Sequence, residues 1–161
     1  MTHLSLISVA TSSVPPDFSQ ALQQSSALRD FAFKQGDQAM VVLANVQELK
    51  LLVDAGRWGA VPAALQLAGE KLELPCLKNN PEAENPEAPP SLEEPFRVAM
   101  AIYALVLGVI HYTQVGAAKQ AASALGCLHS LLDQGALEKI SEGCVTASVN
   151  EDTFCIHLTN E

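Results

Sequence analysis

Two Cys-x-His pairs carry the residue types of a metal or nucleophilic site: Cys127-x-His129 and Cys155-x-His157, with Cys144 as a further thiol. Zinc takes thiolate and imidazole ligands together. On a helix, however, positions i and i+2 face different ways, so Cys127 and His129 should diverge. The chain has no Cys-x-x-Cys. Cys–His catalysis needs a third orienting group and an oxyanion site, and no spacing here supplies either. Glu93 and Glu94 read as acids at a helix start, where they suit the dipole. A hydrolytic carboxylate pair needs a cleft that a helical hairpin does not make by itself. Gly56-Arg57-Trp58-Gly59 lacks the glycine spacing, lysine and hydroxyl of a phosphate loop. His111, near a helix C-terminus, reads as a charge–dipole contact or a packed imidazole. Trp58 follows a turn glycine and reads either as turn packing or as a contact for a partner. No catalytic residue, metal or cofactor is expected, so the chain reads as a non-enzyme.

The elements that would position these residues are helical. The chain has 161 residues, 48% hydrophobic and only 17% charged, with a formal net charge of -9. That suits one domain, 1–161, with a real core and a rather apolar surface. There is no Lys/Arg cluster, so direct nucleic-acid binding is not expected, whereas a basic protein surface would be welcome. The four cysteines and the lack of a secretory leader point to reduced thiols inside a cell. The uncharged run Val98–Ile110 fits a buried helix better than a membrane span.

Residues 1–18 hold Leu4, Leu6, Ile7 and Val9, which could line a short strand or a helical turn, ended by Thr11-Ser12-Ser13 and Pro15-Pro16. Asp17 or Ser19 caps a helix to about Lys34, and Gly36-Asp37 joins it tightly to a helix over about 38–55. Gly56 ends that helix; Pro62 opens the next, over about 61–74. Residues 79–90, rich in Pro and Glu, read as an exposed, mobile loop. A long apolar helix then starts near Ser91 or Glu94 and ends by Val115-Gly116. Its seam is expected at Phe96, Ala99, Met100, Tyr103, Val106, Leu107 and Ile110. A helix over about 117–133 should turn Ala118, Ala121, Ala122, Leu125, Leu128 and Leu132 inward. Gly126 within it suggests a close backbone crossing. Ala136–Ser141 opens a short helix. The alternations Val145/Ala147/Val149 and Phe154/Ile156/Leu158 suggest a small β-hairpin or, equally, a frayed helical segment or an extended strand at the chain end.

Two stretches share one pattern. Leu52, Gly56, Val61, Leu65 and Ala68 repeat the offsets of Tyr112, Gly116, Ala121, Leu125 and Leu128. In a tetratricopeptide-like unit the glycine makes the turn, the small residue lets two helices approach, and the large ones fill the gap. The fold class expected is all-α: antiparallel helical hairpins of the solenoid type. Leu52, Gly56, Leu65, Tyr112, Gly116, Ala121 and Leu125 would set its shape.

Leu28-Arg29-Asp30-Phe31-Ala32 with Gly36-Asp37, then Leu52-Val53-Asp54-Ala55-Gly56-Arg57-Trp58, resembles a helical hairpin of the smaller, helical-repeat subunit of the cohesin loader, fungal type. Ile110-His111-Tyr112-Thr113-Gln114-Val115-Gly116 and Leu128-His129-Ser130-Leu131-Leu132-Asp133 are similar to its next helical pairs. The resemblance implies a non-catalytic nuclear scaffold. Its superhelix would wrap an extended segment of the loader's large subunit and promote cohesin loading, sister-chromatid cohesion and chromosome segregation. Members are several times longer, so the chain would be a fragment of one. Residues alone leave a second reading: a generic intracellular helical adaptor or homodimerisation module.

Overall fold

Local chemistry sets the helix ends. The Asp17 and Asp37 carboxylates accept the backbone N–H groups of Gln20 (2.9 Å) and Met40 (3.0 Å), satisfying donors that a helix start leaves unpaired. The computed structural model describes residues 3–12, 16–77 and 94–147, excluding the side chains of 142–147. Among them lie seven α-helices: α1 (His3–Ser12), α2 (Phe18–Gln35), α3 (Gln38–Asp54), α4 (Val61–Lys71), α5 (Pro95–Gln114), α6 (Ala118–Asp133) and α7 (Ala136–Ala147). A 3₁₀ turn, Pro75–Leu77, follows α4. No strand occurs among the described residues, so the fold is all-α.

Two expectations need correcting. The N-terminal stretch is a full helix: α1 packs on α2 and buries Ile7 and Ala10. Val145 and Ala147, the first arm of the suggested hairpin, continue α7, which is the helical alternative for this stretch. Its other arm and the Pro/Glu loop at 79–90 lie outside the described residues.

α2 and α3 pack antiparallel: the Arg57 guanidinium after α3 reaches Ser19 at the start of α2. α3 and α5, by contrast, run parallel. Trp58 stacks on His111, and one helical stretch earlier Tyr103 lies within electrostatic reach of Lys50 and Asp54. Both pairings keep an offset of 53 residues (111 − 58 and 103 − 50). α5 touches α3, α4, α6 and α7. Its 20 residues are long and apolar enough to cross a membrane by length and composition. Yet Val98, Ala101, Leu105, Gly108 and Tyr112 line one buried stripe and Met100, Ala104, Leu107 and His111 a second, as in a core helix. Val106 and Ile110, expected in the seam, are exposed.

The main core joins α3 to α7 through Leu49, Leu65, Leu77, Leu105, Cys127 and Leu131. A smaller cluster, Ile7, Ala10, Ala21 and Leu51, fills the other side of α3.

Candidate functional site

The residues expected to shape the repeat fall into two equivalent turns. The Leu52 carbonyl accepts the N–H of Arg57 (2.9 Å), just past Gly56; the Tyr112 carbonyl accepts the N–H of Ala117 (2.8 Å), just past Gly116. Gly56 (φ 64°) and Gly116 (φ 73°) both take the left-handed conformation these closures require. Leu52, Leu65 and Tyr112 are buried, and Ala121 is half-buried against the core. Trp58 is half-buried in the turn, its ring 6.2 Å from that of His111 and 27° from parallel.

α6 is rotated from the expected face. Ala124, Cys127 and Leu131 are buried, with Ala121 and Leu128 packed beside them. Leu125 is 42% exposed, and Ala118, Ala122 and Leu132 share its outward side. Gly126 also meets open space, since a Cβ built there finds no atom within 4 Å, so no close crossing explains it. With nothing to collide with, Gly126→Ala should stabilise the fold by about 0.5–1 kcal/mol through helix propensity. Urea denaturation checks this.

Among chemistry-bearing groups, Cys127 is buried while His129 is exposed on another face of α6. Cys127 instead meets Cys76 of the 3₁₀ turn. The hydrogen bond between the thiols pushes Cys76 up, as does burial, and draws Cys127 down, making Cys127 the more acidic of the pair. No group of three or more His, Cys, Asp or Glu residues converges among the described residues. The side chain of Cys144, and residues Cys155 and His157, lie outside the description.

His111 is 3% exposed, and its Nδ1 has no hydrogen-bond partner among the described residues. Burial lowers its pKa below the ordinary 6.5. The unfolded chain therefore binds this proton at a pH where the folded chain does not. Stability should fall as pH drops below about 6.5, by up to about 1.4 kcal/mol per pH unit, until the folded pKa is passed. His111→Phe, which keeps an aromatic ring beneath Trp58, should remove that component. Denaturation midpoints of both proteins between pH 7.5 and 5 test the difference.

A recess lies between α2 and α4, with α3 as its floor. It holds about 330 Å³ and is lined by Arg29, Asn45, Glu48, Leu52, Ala60, Ala63, Ala64 and Leu67. α2 and α4 both pack on α3. The alanines of α4 are too small to close the gap. Arg29 and Glu48 form an ion pair across one wall. Asn45 is 3% exposed, and neither its carboxamide oxygen nor its nitrogen is hydrogen-bonded among the described residues. Periodicity did not reveal this trough: it depends on two helices distant in sequence failing to meet.

Neither family models, curated proteins nor solved structures gave a match to this chain.

Proposed function

We propose that the chain is a non-catalytic helical-repeat scaffold, of tetratricopeptide-like solenoid type, that binds an extended segment of a partner protein. The observation that carries this reading is the repeated turn. Two helix pairs, α3/α4 and α5/α6, close through the same hydrogen bond past a left-handed glycine, a closure that the α2/α3 join at Gly36 also makes. Their first helices lie side by side and parallel, and α7 packs on α5 as α5 packs on α3. Such stacking builds an extended surface and no enclosed reaction centre.

The sequence resemblance adds a partner: the large subunit of the cohesin loader, in the nucleus, during cohesin loading onto chromatin. The test is fluorescence anisotropy with a labelled, extended N-terminal segment of that subunit, beside an array of unrelated disordered segments. Saturable binding of the loader segment, at about micromolar strength and above the array, is the expected result. Binding only to array segments withdraws the loader assignment. Binding to nothing withdraws the scaffold reading.

The outward stripe of α6, Ala118, Ala122, Leu125 and Leu132, favours a second reading, an adaptor that pairs with its own copy. Sedimentation equilibrium decides it: a monomer at about 100 μM, far above ordinary working concentrations, rejects self-association.

A further inference from the structure

We propose that the trough between α2 and α4 is a peptide-binding site, in which the Asn45 carboxamide grips the backbone of an extended segment with small aliphatic side chains. This deepens the scaffold reading and rests on it.

An unpaired buried amide is an expensive feature of a folded chain. The positions flanking Asn45 on α3, Val42, Val46 and Leu49, are aliphatic, and an aliphatic side chain at position 45 would avoid the loss. Asn45 presents one acceptor and one donor side by side. A residue in extended backbone offers the complement, because its own N–H and C=O point to the same side of the strand. Phosphate or carboxylate matches only the donor and is repelled by the carboxamide oxygen. Arg29 and Glu48 neutralise each other in the wall, so the recess suits an uncharged stretch of backbone.

The walls fit the same ligand. Ala60, Ala63, Ala64, Leu67 and Leu52 suit small aliphatic side chains, and about 330 Å³ holds a short peptide stretch and no folded element. Asn45 itself is covered, so the peptide must displace side chains. Arg29 and Glu48, 29% and 26% exposed, are the wall groups able to swing aside.

The test uses the whole chain, labelled with ¹⁵N. The probe is the acetylated, amidated heptapeptide Lys-Val-Ala-Val-Ala-Val-Lys, with an analogue N-methylated at its central valine and inorganic phosphate as controls. The side-chain NH₂ signals of Asn45 should move saturably with the heptapeptide, and N-methylation should weaken binding at least about fivefold, as expected for one lost hydrogen bond. Asn45→Leu, close in shape, should raise the thermal midpoint by several degrees, roughly 2–4 °C for each kcal/mol regained. It should also weaken binding about tenfold. Unmoved Asn45 signals at saturating peptide overturn the proposal, as do equal shifts with phosphate. A lowered midpoint for Asn45→Leu overturns it too, because the amide would then have partners within the fold. If the peptide shifts only signals on α5 and α7, this site falls and the scaffold reading stands. If neither this peptide nor the partner segment tested above binds anywhere, both fall.

Discussion

Leu77→Ala is expected to lower the unfolding free energy by about 2–5 kcal/mol. Leu77 is fully buried at the end of the 3₁₀ turn, where it plugs the space between α4 and α5. Two glycines receive it. A Cβ built on Gly69 would stand 2.9 Å from the Leu77 Cβ, and one built on Gly108 would stand 2.8 Å from its Cδ2. Glycines have no side chain to lean into the hole left by truncation, so the cavity should persist and the loss should fall toward the upper part of that range. Chemical denaturation measures it. A loss below about 1 kcal/mol would mean that the turn relaxes onto α5, and the plug would be incidental.

The second large effect is a coupling. Gly108→Ala alone should destabilise by about 1–3 kcal/mol, because its new methyl meets the tip of a side chain already packed on all sides. In a Leu77→Ala background that tip is gone, and most of the penalty should go with it, giving a coupling of about 1–3 kcal/mol. Gly69→Ala supplies the contrast. Its methyl would meet the Leu77 Cβ, and the Leu74 carbonyl oxygen at 3.2 Å, atoms that Leu77→Ala retains. No rescue is expected there. Denaturation of the three single and two double variants decides the matter, and equal rescue of both glycines would show that the contact geometry does not govern these energies.

The parts legible in the sequence were those governed by neighbours along the chain. Asp17, Asp37, Gly36, Gly56 and Gly116 act within a turn of their own position, and the helix boundaries they mark lie where expected. α1 has no comparable signal: it has no Asp, Glu, Lys or Arg, and its ten residues pack on α2. The face of α6 was illegible for another reason. Apolar residues surround it, so periodicity fits both the Ala118/Ala122/Leu125 side and the Ala124/Cys127/Leu131 side. The choice is made by α5 and the 3₁₀ turn, which come from other parts of the chain. Asn45 and His111 were hidden likewise. A polar residue in a helix says nothing of its burial until the neighbouring helices are placed.

The two apolar clusters on either side of α3 fix that helix in rotation. Leu51 feeds one cluster and Leu52 the other, although they are adjacent in sequence. Successive residues point about 100° apart around a helix. Turning α3 to deepen either contact would lift the other into water. Its azimuth is therefore clamped from both flanks, and any twist imposed on α5 must be passed through α3 to the α1–α2 pair, as torque through a keyed shaft.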